Sequence, residues 1–164
     1  MIDRANLQPG QHVLIHGGTG GVGHVALQIA RIKGARVATT ISSEGKAKIV
    51  RDLGADEIIN YREQTVEQYV ESLTNGNGFN IVFDTIGGKN FGLSLEATRY
   101  KGQMINILAF SPHELTPAMV RGLTIHIENM SIPLLTGIGR ERQGEILAEI
   151  ARHVDAGQLT TLHL

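Results

Sequence analysis

The 164-residue chain contains no cysteine, which excludes disulfides and thiolate metal sites. It also lacks an excess of charge of either sign: 15 Lys and Arg stand against 16 Asp and Glu, a net charge of −1. That balance argues against a general nucleic-acid binder and against a polybasic membrane module. No run approaches the roughly 18 consecutive apolar residues of a membrane span. Residues 1–10 hold no apolar signal-peptide core. The expectation is a cytoplasmic protein with neither nucleic acid nor membrane among its partners. At roughly 100–200 residues per domain the length fits a single unit, 1–164. A unit of this size buries roughly 68–70% of its unfolded surface, enough for a core without staples. Glycine is in excess: 20 of 164 residues, about 12%, against a usual value of about 7%.

Short β-rich runs alternate with helical patterns, the signature of a parallel sheet with crossover helices. Strands are expected at 12–16, 35–41, 56–60, 79–84 and 103–109. Between the first two, residues 21–33 place Val22, Val25, Ala26, Ile29 and Ile32 at helical spacing, and Gly34 follows as a stop. Ser43 can cap the next helix, with Ala47, Val50 and Leu53 inward. Thr65-Val-Glu-Gln68 is a capping-box pattern, with Val66, Tyr69, Val70 and Leu73 inward. A further helix carries Phe91 and Leu95. Residues 111–122 read as a loop or short helix. Residues 123–128 alternate as a half-exposed strand. Residues 140–156 form a helix whose expected core face is Ile146, Leu147, Ile150, Ala151 and Val154. Residues 158–164 stop without a closing element. The fold class is α/β: a three-layer, doubly wound parallel sheet of about six strands.

The glycines concentrate in Gly18-Thr-Gly20-Gly-Val-Gly23, a G-x-G-x-x-G pattern. It follows a predicted strand and opens a predicted helix in the first βα unit, the context a dinucleotide-binding (Rossmann) loop requires. Gly18 is expected to permit the tight turn, Gly20 to let a pyrophosphate approach the backbone, and Gly23 to let helix and strand pack closely. The helix N-terminus, with Gly21 and Val22 in the loop, offers free N–H groups to phosphates. The alternative is a glycine-rich turn without a ligand. A P-loop is excluded, because His24 and Val25 follow the last glycine where Lys and Ser or Thr are needed. A Tyr-x-x-x-Lys catalytic pair is missing as well: Tyr61, Tyr69 and Tyr100 are followed four residues on by Thr65, Leu73 and Met104.

An acid that would hold a ribose 2′-OH is also missing after the second strand. Ile41 stands about where it should be, and Glu44 falls a few residues late. Ser42, Ser43 and Lys46 could hold a 2′-phosphate instead, unless Lys46 is simply a solvated helix lysine. The histidines form no metal signature. His12 and His16 share a strand face and suit packing. His24 suits packing against the next loop more than phosphate contact. Asp84 suits the satisfaction of loop N–H groups more than acid catalysis.

Leu7-Gln-Pro-Gly-Gln-His-Val-Leu-Ile-His-Gly-Gly-Thr-Gly-Gly-Val-Gly23, Leu53-Gly-Ala-Asp56, Ile59-Asn-Tyr-Arg62 and Val82-Phe-Asp-Thr-Ile-Gly-Gly88 together carry a family resemblance. The chain resembles the cofactor domain of the medium-chain dehydrogenase/reductases, especially their quinone oxidoreductase-like and zinc-type alcohol dehydrogenase-like members. The resemblance implies NADP(H), preferred over NAD(H), with Lys46 and Tyr61 at the 2′-phosphate. It places Ile86, Ile107 and Phe110 beside the nicotinamide ribose and ring. It also implies hydride transfer between nicotinamide and a quinone, enone, aldehyde or alcohol in a full-length enzyme, and a homodimer joined through the edge strand 123–128. Members of the family carry a GroES-like catalytic domain that has no counterpart in this sequence. The chain therefore looks like an excised domain, a truncation or a split gene product, inactive alone. Neither a catalytic residue nor a zinc ligand is assigned within it. The competing readings are a free-standing, non-enzymatic dinucleotide sensor and an S-adenosylmethionine methyltransferase, which usually wants the same missing acid.

Overall fold

The computed structural model describes residues 1–161, so the end of the 158–164 tail lies outside the described residues. The elements are α1 (Ile2–Ala5), β1 (His12–Ile15), α2 (Gly23–Ile32), β2 (Arg36–Ile41), α3 (Ala47–Asp52), β3 (Glu57–Asn60), α4 (Val66–Thr74), β4 (Phe79–Asp84), α5 (Asn90–Ala97), β5 (Thr98–Asn106), α6 (Thr116–Arg121), β6 (Thr124–Ile127), α7 (Ser131–Thr136) and α8 (Arg140–Asp155). The six strands form one sheet in the order β3-β2-β1-β4-β5-β6, every pairing parallel. This is the doubly wound order in which the direction of strand addition reverses between β1 and β4, opening a crevice at the strands' carboxyl ends.

The sequence explains why the sheet lies in the middle. Val13, Leu14 and Ile15 are all fully buried, as a strand covered on both faces requires. Val13 and Ile15 pack with Ala26, Leu27 and Ala30 of α2 and Val50 of α3. Leu14 points to the other face, with Val66 and Tyr69 of α4 and Val82 of β4. A third cluster joins Phe91 and Leu95 of α5 to Met104 and Ala118. The capping box forms: Gln68 N donates to Thr65 Oγ1 at 3.4 Å, and Thr65 N donates to Gln68 Oε1 at 2.8 Å.

Several elements differ from the sequence reading. β5 begins at Thr98, which pairs with Phe79, and it ends at Asn106 rather than running to residue 109. It stops there because the Asn106 side chain accepts from Leu108 N at 2.8 Å, turning the chain out of the sheet. Ser43 occupies an N-cap position, before a 3-10 turn at Glu44–Lys46, but its side chain makes no cap hydrogen bond. α7 lies in the Pro- and Gly-containing segment between residues 128 and 140, where no element was expected. The expected core face of α8 is not buried: Leu147 is 67% and Val154 45% exposed. Among the described residues, no side chain of α8 belongs to the core cluster that α2 and α3 form with the sheet. The helix is held by polar links, Lys33 to Glu149 at 2.9 Å and Arg142 to Asp3 at 2.7 Å.

Candidate functional site

The glycine loop joins β1 to α2 across the crevice. The left-handed turn is at Gly17 (φ +73°), not at Gly18. Gly18 is needed for a different reason: a Cβ there would overlap the Thr39 side chain of β2. A Cβ at Gly23 would overlap the Gly17 carbonyl, so this glycine lets the helix start against the loop, as expected. Beside Gly21 there is open space.

β2 holds the loop in place. Thr40 Oγ1 accepts from Gly17 N at 3.0 Å, and Thr40 O accepts from Gly18 N at 3.3 Å. Thr39 Oγ1 donates to Ile15 O at 2.7 Å. Both threonines are buried. The sequence reading missed them, although two adjacent hydroxyls inside a buried apolar strand are a signal. Gly20 N donates to Gly17 O at 2.8 Å. Among the described residues, the N–H groups of Gly21, Val22 and Gly23 donate to no protein acceptor. Gly20, Gly21 and Val22 are exposed. The N-terminus of α2 thus presents unpaired donors and the positive end of a ten-residue helix to solvent. His24 does not join them. It is buried, with Nδ1 2.9 Å from Gly20 O, and serves the loop as packing.

On one side of this loop, Ile41 ends β2 buried in the core, so no carboxylate stands there. Ser42 is half-buried, Ser43 and Lys46 are exposed, and Lys46 pairs with no carboxylate among the described residues. Tyr61 follows β3 and is exposed. A cavity of about 530 Å³ lies beside it, lined among others by His16, Gly17, Thr40, Tyr61, Gln64, Ile86 and Asn90. Ile86 and Tyr61 therefore share one cavity. Ile107 and Phe110 do not line it: Ile107 packs half-buried against the core cluster on the α2 face, and Phe110 is exposed on the loop after β5.

His16 is a buried member of that cavity's lining. Burial pushes its pKa down to about 4, against a smaller opposing pull from Asp84. Thr40 Oγ1 lies 3.4 Å from His16 Nδ1, and among the described residues Nε2 has no partner. Asp84 is fully buried and satisfies loop amides, as its sequence context suggested: Oδ1 accepts from Ile86 N at 2.9 Å and Gly87 N at 3.0 Å. His12 is likewise structural, its Nε2 2.5 Å from Glu57 Oε2. Among the described residues no three His, Asp or Glu side chains are grouped to hold a metal ion.

The family model for zinc-binding dehydrogenases matches residues 21–151. A 2-haloacrylate reductase from a Burkholderia species is 41% identical over 96 residues, 58% of this chain and 29% of its own length. An alcohol dehydrogenase superfamily protein from Novosphingobium aromaticivorans superposes with a TM-score of 0.91 at 39% identity, over 96% of this chain and 47% of its own. A mycobacterial protein solved in complex with NADPH superposes with a TM-score of 0.85 at 28% identity, over 98% of this chain and 50% of its own. The chain spans about half the length of these solved relatives. It belongs to the zinc-binding dehydrogenase family, as the NAD(P)-binding half of a medium-chain dehydrogenase/reductase.

Proposed function

We propose that this chain is the NADP(H)-binding domain of an oxidoreductase that transfers hydride between nicotinamide and a quinone, enone, aldehyde or alcohol. The observation that carries the reading is the set of unpaired amides at Gly21, Val22 and Gly23, presented by a loop that Thr39 and Thr40 fix. Such amides and a helix N-terminus suit a pyrophosphate. The cofactor, when bound, supplies the hydride chemistry; the chain supplies binding and orientation.

The preference for NADP(H) rests on charge. Ile41 offers nothing to a 2′-OH and nothing that repels a 2′-phosphate. Lys46, Ser42 and Ser43 supply a cation and hydroxyls beside it, and Tyr61 adds a phenol from the neighbouring strand end. The NADPH carried by the mycobacterial relative supports the choice of ligand. These 164 residues alone should bind cofactor without turning over substrate, since none of them is assigned to the chemistry. We infer a homodimer contact at β6, one of the two edges of the sheet, which carries exposed Ile127 and is followed by exposed Met130, Leu135 and Ile138.

Calorimetric titration of NADPH into the chain tests the central reading. Saturable one-to-one binding that weakens with added salt is expected. Absence of binding at millimolar cofactor would overturn it. Steady-state quinone or aldehyde reduction by this chain alone would overturn the division of labour.

A further inference from the structure

We infer that Asp84 is a positioning residue that locks the loop after β4 to the loop after β5, and through them orients the half of a dinucleotide that extends beyond the pyrophosphate. The inference rests on the NADP(H) reading above.

The sheet order determines which half that is. The glycine loop sits at β1, and the cation and phenol that suit a 2′-phosphate sit beyond β2 and β3. A dinucleotide anchored there must extend its other half over β4 and β5, whose carboxyl-end loops begin at Asp84 and Asn106. These two residues are register partners in the sheet.

Asp84 is fully buried, and no cation pairs with it among the described residues. Each of its oxygens serves one loop. Oδ1 accepts from Ile86 N, Gly87 N and, at 2.8 Å, Asn90 Nδ2, which fixes the turn into α5. Oδ2 accepts from Asn106 Nδ2 at 2.8 Å, and Asn106 Oδ1 in turn accepts from Leu108 N at 2.8 Å. The loops also touch directly: a Cβ on Gly87 would lie 2.5 Å from Leu108 O and 2.7 Å from Leu108 Cβ. Burying an unpaired carboxylate is costly. Strand pairing needs no side-chain charge at this place, and a buried apolar residue would complete the β4–β5 core. What the carboxylate adds is an acceptor able to hold both loops at once, with Asn106 relaying it to Leu108.

The donor inventory makes the test specific. In Asp84→Asn, Oδ1 keeps its three donors, but the new amide N–H₂ meets the Asn106 N–H₂. If Asn106 flips, its N–H₂ turns on Leu108 N instead. Either way the loop after β5 loses its tie and the loop after β4 keeps it. In the swap Asp84→Asn with Asn106→Asp every hydrogen bond returns, with the charge moved by one residue.

The experiment measures binding of NADPH and of 2′,5′-ADP, which carries only the adenosine half, to wild type, D84N and the swap, together with amide exchange. Wild-type binding of both probes is the reference. D84N should weaken NADPH about tenfold, change 2′,5′-ADP less than about twofold, and speed exchange at Leu108 but not at Ile86 or Gly87. The swap should restore NADPH to within about threefold of wild type. Equal losses for both probes, no loss for either, or a folded swap that fails to recover would overturn the inference. So would failure of both variants to fold, which would assign the bonds to stability alone. A wild type that binds 2′,5′-ADP but gains nothing from the second half overturns this inference while leaving the adenosine site standing. A wild type that binds neither probe removes the NADP(H) reading itself, and this inference with it.

Discussion

Thr40 holds Gly17: the threonine hydroxyl of β2 accepts the amide of the one glycine in the loop that turns left-handed, at 3.0 Å. Thr40→Val keeps the shape and removes the acceptor. The Gly17 N–H then loses its partner, a cost of about 1–2 kcal/mol. At about 2–4 °C per kcal/mol for a chain of this size, the melting temperature should drop by roughly 2–8 °C. NADPH affinity should fall with it, because the free amides downstream are aimed by this turn. Thr40→Ser, which keeps the hydroxyl, should recover both. Melting curves with and without NADPH check the pair; an unchanged Val variant would detach β2 from the site.

Lys46→Ala should weaken NADPH binding and leave NADH nearly unchanged. A charge-assisted contact contributes roughly 1.5–3 kcal/mol when well placed, and exposure pulls Lys46 to the low end, so the loss is about tenfold. The salt dependence of NADPH binding should flatten in the variant. Titration of both cofactors against both proteins is the check. Equal losses for the two would remove Lys46 from the site.

The sheet was legible in the sequence because buried parallel strands are short apolar runs between punctuated helices, and five such runs stand in order. The glycine loop was legible as a site, but not which glycine does what, because the motif fixes spacing and not φ. Gly17 carries the turn, and Gly18 is small because Thr39 stands behind it. The Thr39–Thr40 support and the Asp84–Asn106 pairing are contacts between residues roughly twenty or more apart in sequence, where local periodicity carries no information. Periodicity also shows an apolar stripe without showing what covers it. The Leu147 and Val154 side of α8 has the spacing of a core helix and is exposed all the same.

Acid should destabilise the fold through His16. Burial holds its folded pKa near 4, below the ordinary 6.5, so the unfolded chain takes up this proton first as pH falls. The contribution is intact above pH 6.5, is withdrawn between 6.5 and 4, and changes little below. Each tenfold difference in proton affinity is worth about 1.4 kcal/mol, so the loss approaches about 3 kcal/mol. Burial also lowers the pKa of His12, which acts in the same direction. His16→Leu removes the titration. The urea midpoint of wild type should fall from pH 7 to pH 4 relative to that of the variant. Parallel pH profiles would contradict the buried neutral imidazole.

The homodimer contact proposed at β6 makes the most specific prediction, because β6 can be broken on one side only. Residues alternate along a strand between the neighbouring strand and the open edge. Glu128 N donates to Asn106 O, so Thr124 and His126 share that inward direction and the amides of Ile125 and Ile127 face outward. An exposed edge with free donors invites a partner strand, and a two-fold contact would pair β6 with its own copy. Ile127→Pro removes one outward donor and leaves the β5 ladder intact, since proline is tolerated at an edge. It should turn a dimer into a monomer, with the melting transition of the monomer still cooperative. Ile127→Val keeps donor and shape and should remain dimeric. Sedimentation at micromolar concentration reads both. A stable dimer of this kind needs about 1,200–2,000 Å² of buried surface, more than four strand residues supply. The exposed Met130, Leu135 and Ile138 would therefore have to enter the contact, and Leu135→Asp should weaken it as Ile127→Pro does. A wild type that sediments as a monomer, or a proline variant that stays dimeric, would show that the edge of this sheet is not where two copies meet.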